Sequence, residues 1–433
     1  MILLTLVCRE IAGNQPHLPW RTSLLATIGI SLGLGLLVKT HMISALHNPL
    51  AVEAAFVRSR RWAEIAWCCF LPAALLATGW ISQLNLLHVQ GLPQTVVLLG
   101  AFLPTVLFMF LLEITAAQVD EIRDLANSNH GGTETHNWVG HLRLRLRLGD
   151  LASLLTCLTP VLLIGLASDT ATFLPTHWMP EFATDSWFKF SFLLVGIVAF
   201  GVGFPAAISR WAGAEPITDR DLSVRIQLYF AQLGVRGVQP LIVRSNQRWA
   251  GAAVVGWFPK CRKLWLGDAL LSTLDSRELD MVIMHEIAHV ERKHFLWRSL
   301  PIFSTALIAC GVWCGLRAFI THELVLTGLQ FALLSTTGFG LLLGLSVLAK
   351  FCELDADRRA CELARRACPW AQSHSPNDVL ADALQKLLQG PDSAAMTWLH
   401  PSLAQRLDNL KPSYWSPDML DSEMVSNTNQ FNL

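Results

Sequence analysis

Residues 284–294 read MHEIAHVERKH, with His285 and His289 four positions apart and Glu286 directly after the first histidine. On a helix, positions i and i+4 lie one above the other on one face, so both imidazoles can address a single metal ion. Glu286 sits one residue round, close enough to serve as a base towards water at that ion. Paired imidazoles suit zinc, and the chemistry such a site supports is attack of activated water on a carbonyl. The plain alternative is a polar helix face carrying two solvated histidines, and so short a motif does not exclude it.

A hydrolytic zinc needs a third protein ligand and an open position. A histidine farther along the same helix, in the spacing HExxHxxGxxH, is ruled out because Arg292 and Phe295 occupy the glycine and histidine positions. His294 falls one residue short and is expected to point elsewhere, as a solvated or structural histidine. The stretch CELDADRRA (352–360) offers a distant carboxylate instead. Glu353 can take the metal, while Asp357, one turn on along the same face, accepts from a ligand histidine or fixes the helix. Two apolar runs, 299–320 and 324–350, separate the motifs. An even number of membrane crossings returns the chain to the side it left, so a helical hairpin brings Glu353 back to His289.

The elements that must position these groups are mostly apolar. The chain has 433 residues, 52% hydrophobic and 15% charged, and its mean hydropathy is +0.41. Soluble domains carry about a quarter charged residues, so a membrane protein is expected. The zero formal net charge gives no support for nucleic-acid binding. A span needs about 20 mainly apolar residues, and seven stretches qualify: 22–42, 63–83, 95–117, 151–172, 188–209, 299–320 and 324–350. Glu113, near one end of the third, reads as a carboxylate snorkelling to the surface. Cys68, Cys69, Cys157, Cys310 and Cys314 lie in apolar runs without CxxC spacing and read as small buried hydrophobes. No cleavable signal is evident in MILLTLVC, which lacks a basic residue before its apolar run.

Lysine and arginine mark the cytoplasmic loops. Arg58, Arg60, Arg61, Arg123, Arg143, Arg145 and Arg147, the 210–298 segment and the tail from Lys350 all fall on one side. Loops 84–94, 173–187 and 321–323 contain neither residue. The N-terminus is therefore expected outside and the soluble segments in the cytoplasm, with only Arg9 and Arg21 against it. Within the soluble segments, 219–234 has helical spacing ending on Gly234, and QPLIVR, WAGAAVVGWF and CRKLWLG read as strands. Asp275 and Glu278 form a capping box that starts a helix expected over 276–296. FCELDADRRACELARRA reads as another helix after the last span.

HEIAH, then two spans, then ELDADRRA, then HPSLAQRLDNL near the end resembles the integral-membrane zinc peptidases of the type I CAAX prenyl protease and HtpX heat-shock protease family. The likeness covers roughly 210–411 by motif. It implies one zinc per chain on His285, His289 and Glu353, with Glu286 as general base and Asp357 behind the ligands. It further implies that His400 and Arg406 lie near the site and support the oxyanion. Family members usually carry Asn-Ala at the start of the strand before the active-site helix. Here Ala252 stands about where the asparagine would fall, which alters the expected substrate strand of Ala252, Ala253 and Val254.

The expected fold is mainly α and polytopic: about seven transmembrane helices with a cytoplasmic gluzincin-type α+β catalytic domain split by a transmembrane hairpin. In chain order these are a tail (1–21), five spans with loops (22–209), a first catalytic segment (210–298), the hairpin (299–350), a second catalytic segment (351–415) and a polar tail (416–433). The expected partners are the lipid bilayer and a protein or peptide substrate, misfolded, membrane-associated or prenylated. Two other readings remain open, a metallopeptidase-type membrane receptor and a non-catalytic membrane scaffold. An intramembrane protease would need HExxH inside a span, and DSRELDMVIMHEIAHVERKH is too charged for that.

Overall fold

Among the described residues up to 148, the apolar runs fold mainly into helices. The computed structural model describes residues 18–44, 49–127, 138–148, 201–245, 249–320, 322–388 and 400–411, with a few isolated positions such as 169. The chain divides into two compact units, residues 1–200 with 322–334 and residues 201–321 with 335–433.

The first unit contains α1 (Trp20–Ser44), α2 (Pro49–Pro72), α3 (Trp80–Val89), α4 (Gln94–Asn127) and α5 (Trp138–Leu148). Trp67, Leu71, Leu75, Phe108 and Leu112 are fully buried among these helices, and Trp67 stacks on Phe108 with ring centroids 4.9 Å apart. A polar stripe on α1 is also buried, and Thr27 Oγ1 meets Thr78 Oγ1 at 2.8 Å, which spares both hydroxyls from an unpaired position away from water. Glu113 departs from expectation. It is wholly buried, with Arg145 Nη1 3.8 Å from its carboxylate. Helix α5 returns against α4 and supplies a cation that lets the carboxylate stay inside.

Among the described residues, four helical stretches are long and apolar enough to cross a membrane: Trp20–Thr40, Gln94–Ile122, His294–Phe319 and Thr336–Ala367. The expected span 63–83 is not one helix. It runs from α2 into a π-turn at Ala73–Ala77 and breaks at Gly79, whose φ is +69°. The expected spans 151–172 and most of 188–209, and the polar tail 416–433, lie outside the described residues. Cys68, Cys69 and Cys314 are exposed rather than buried. Cys314 lies on a stretch apolar enough to cross a membrane, where a thiol is tolerated as a small hydrophobe. Cys157 and Cys310 have no described side chains.

The second unit holds a four-stranded sheet in the order β1-β2-β4-β3. The strands are β1 (Ala214–Pro216), β2 (Val238–Val243), β3 (Ala252–Val255) and β4 (Arg262–Gly267). β2 and β4 are parallel, with Leu241 opposite Trp265, whereas β3 pairs antiparallel to β4, with Val254 opposite Leu264. The three strands read from the sequence are present, and β1 is an addition too short to show a period. Gly267 has no room for a side chain, because a Cβ there would lie 1.9 Å from the Trp249 carbonyl oxygen.

The helices that follow in the chain are α6 (Arg220–Gln232), α7 (Asp268–Thr273), α8 (Ser276–Glu291), α9 (His294–Phe319), α10 (Glu323–Ala367), α11 (Pro376–Leu388) and α12 (Leu403–Asn409). Helix α6 is followed by Gly234 at φ +67°, as its sequence suggested. The capping box of α8 is complete: Asp275 accepts from Arg277 N and Glu278 N, and Glu278 accepts from Asp275 N. Two expectations need correction. Helix α8 ends at Glu291 rather than near 296, since Lys293 takes a left-handed conformation before α9 begins. The ELDADRRA stretch is not a new helix after the last span but the continuation of α10, one helix of 45 residues. No glycine or proline interrupts 345–367, so nothing stops the helix at the point where apolar sequence turns charged. Ala356, Ala360 and Ala364 recur one turn apart and are fully buried in one core with Met281, Met284 and Ile287 of α8. Small side chains at that spacing let α10 come near the helix bearing the histidines.

Candidate metal centre

His285 and His289 point their Nε2 atoms at one spot, 3.2 Å apart. Glu353, from α10, brings Oε2 to 3.7 Å from His285 Nε2 and Oε1 to 3.5 Å from His289 Nε2. A tetrahedral zinc with ligand bonds of about 2.0–2.1 Å holds its ligand atoms roughly 3.3 Å apart. The three side chains therefore stand at the spacing one such ion requires, and among the described residues they form a metal-competent cluster. The donor set also fits. Two imidazoles and one carboxylate leave a fourth position for water.

Glu286 lies beside this cluster without joining it. Its side chain is almost wholly buried, and Oε2 accepts from Val254 N–H at 3.1 Å. Burial pushes its carboxyl above the usual glutamate range, partly opposed by His285. Since Val254 N–H is turned to Glu286, the backbone of Val254 and of Ala252, two residues back, faces away from β4. β3 is an edge strand.

Behind His285, Asp357 Oδ1 lies 2.9 Å from Nδ1, although the ring N–H is poorly aligned for a hydrogen bond. Asp357 is itself fully buried and accepts from Arg406 Nε at 2.8 Å and from Arg406 Nη2. Two histidines on one helix face thus differ sharply. Burial opposes charge on His285, but Asp357 and Glu353 outweigh it and push the ring up to about 9. Burial dominates at His289 and, with the charge on His285, brings it down to about 4.

His400 and Arg406 are both near the site. His400 Nδ1 is 3.3 Å from Glu353 Oε2 and its ring is partly exposed. Arg406 is buried and two of its nitrogens are committed to Asp357, leaving Nη1 4.0 Å from Glu353 Oε2. That geometry fits Arg406 to holding the ligand shell, whereas His400 keeps a face open to a substrate.

Arg298 and Asp355 were not singled out from the sequence, and His294 was expected to point elsewhere. Arg298 Nη2 donates to Glu353 Oε1 at 2.6 Å. His294 is buried and meets His289 Nδ1 at 2.8 Å. Asp355 accepts from His294 at 3.0 Å. Arg298 and Asp355 sit in the charged clusters that flank the two motifs, which is the only signal the sequence offers for them.

Comparison with known proteins agrees with the motifs. Residues 216–413, which hold both motifs, match the model of peptidase family M48. The crystal structure of S. mikatae Ste24p is similar at 18% identity, covering 92% of this chain and 100% of that one, with a TM-score of 0.43. No curated protein matches the chain.

Proposed function

With residues 216–413 matched to peptidase family M48, we propose that this membrane protein is a zinc-dependent endopeptidase acting on membrane-associated, misfolded or prenylated protein substrates at the cytoplasmic face. The observation that carries the reading is the spacing of His285, His289 and Glu353, at 3.2, 3.7 and 3.5 Å, with a buried carboxylate beside them that none of them needs.

A bound zinc ion supplies Lewis acidity, lowering the pKa of a water towards about 7 and polarising a peptide carbonyl. Glu286 takes the proton from the attacking water and delivers it to the departing amine nitrogen. Its raised pKa suits a group that must both accept and return a proton near neutral pH. Val254 N–H holds the carboxylate in place meanwhile. His400, partly exposed beside Glu353, donates to the carbonyl oxygen as it gains negative charge. Arg406 anchors Asp357, which keeps the His285 ring facing the cluster. A peptide adds along the outer edge of β3, through Ala252, Ala253 and Val254, while the Val254 N–H stays on Glu286. Small side chains on that strand leave the edge accessible to bulky substrates. The lysine and arginine content of the loops supports a cytoplasmic side for this unit.

Metal analysis of the purified full chain tests the reading. Wild type should hold one zinc, cleave a prenylated or membrane-anchored peptide in detergent, lose activity to a chelator and regain it with zinc. Glu353→Ala should lose the metal although HExxH is intact, because two imidazoles alone bind weakly. Zinc-free but active wild type would overturn the proposal, as would full zinc retention by Glu353→Ala.

A further inference from the structure

The helix bearing both histidines stops at Glu291, and the chain turns through Lys293, whose φ is +54°. Lys293 has the only positive φ at a non-glycine position among the described residues. A left-handed lysine is strained and persists only where its surroundings hold it. In an unbroken helix His294, five residues on from His289, would lie about 140° round the axis and out of reach. The turn instead restarts the chain as α9 with His294 at its first position.

There the His294 ring stands edge to face with His289, centroids 4.9 Å apart, and Nδ1 meets Nδ1 at 2.8 Å. The other nitrogen, Nε2, lies 3.0 Å from Asp355 Oδ2, two residues beyond Glu353 on α10. His294 is 3% exposed, so bulk water has little access to these bonds. The donor directions follow from the end of the chain. A carboxylate only accepts, so His294 Nε2 carries the proton, and in the neutral ring its Nδ1 offers a lone pair. His289 Nδ1 must then donate. That leaves His289 Nε2 bare and facing Glu353 and His285.

We infer that His294 and Asp355 form a relay that fixes the tautomer and ring orientation of His289 as a metal ligand, the counterpart of what Asp357 does for His285. Both are positioning residues, acting through His289 rather than on substrate. The inference rests on the zinc reading above. It also gives the strained turn at Lys293 a purpose, since only that turn brings His294 onto the ligand.

The test is zinc affinity of the full chain in detergent, by competition with a chromophoric chelator, beside the visible absorption of the cobalt-substituted protein. Outer partners of metal-bound histidines are typically worth 10–100-fold in affinity. His294→Phe keeps the ring volume but removes the acceptor, so its zinc dissociation constant should rise roughly tenfold or more, with altered cobalt bands. His294→Asn places an amide oxygen near the lost Nδ1 and should recover most of that affinity. The melting temperature of the metal-free variants serves as the folding control. A His294→Phe protein that is folded and binds zinc within about threefold of wild type overturns the inference. So does His294→Asn if it binds as weakly as His294→Phe, because packing alone would then explain the loss. Wild type that takes up no zinc refutes the proposed function and this inference together, whereas normal wild-type uptake with an unaffected phenylalanine variant refutes the inference alone.

Discussion

Replacing Glu286 with glutamine separates chemistry from binding more cleanly than any other change at this site. The side chain is 9% exposed and makes one described hydrogen bond, accepting from Val254 N–H at 3.1 Å. Glutamine has the same length and keeps an acceptor oxygen, so that bond and the local packing survive. Glu286 is outside the three-residue donor cluster, so zinc stoichiometry should stay at one and affinity near wild type. Burial raises the carboxyl pKa here, meaning the charge is costly in this position, and a neutral amide should not lower the melting temperature. The ability to move a proton is what disappears. General acid–base catalysis by one group is worth about 10²–10⁴-fold, or roughly 2.7–5.5 kcal/mol in the barrier, so kcat/KM should fall by at least about a hundredfold. The assay is turnover of a prenylated or membrane-anchored peptide in detergent, with chelator-treated enzyme as the blank. Chelator-sensitive turnover within tenfold of wild type would refute the role of Glu286 as base. Loss of zinc from Glu286→Gln would refute the separation of base from ligand.

Arg406→Met removes a buried cation and leaves Asp357, wholly buried, without its main partner. Breaking a buried pair costs about 3–5 kcal/mol, so melting temperature and zinc affinity should both drop, and a variant that lost only turnover would point to direct substrate contact instead. In the metal-free chain His285 titrates at about 9, above its ordinary 6.5, so its stabilisation is full below pH 6.5 and is lost as pH rises through 9. His289, brought down to about 4, works in reverse, losing its contribution as pH falls from 6.5 through 4. Thermal melts of chelated protein should therefore peak near pH 6–7, and His285→Asn should flatten the alkaline decline; an unchanged decline would show that other groups cause it. Labels placed in 84–94 or 173–187 should react from the outside only, and labels in 376–388 from the cytoplasm only, with the opposite pattern overturning the sidedness read from lysine and arginine.

What the sequence determines by itself is whatever depends on neighbours along the chain. His285 and His289 share a face because the helical period puts them there, and the Asp275–Glu278 capping box starts that helix at the expected residue. Glu353 could be paired with them across sixty residues because counting crossings is topology rather than packing. The three longer strands were legible from alternation and turn residues. The rest was decided in three dimensions. Where α8 stops depends on a left-handed turn at Lys293, a residue with no intrinsic preference for that conformation, so the pattern reads straight through it and sends His294 the wrong way. The continuity of α10 through the join of apolar and charged sequence was hidden because hydropathy marks environment, not helix ends. Glu113 looked like a surface carboxylate until α5 folded back to place Arg145 beside it. Arg298, Asp355 and the Val254 N–H act on the site from separate segments, and a side chain's partner across the fold leaves no mark on the residues next to it. Local periodicity fixes which groups are available, while packing between distant segments fixes which way each one faces.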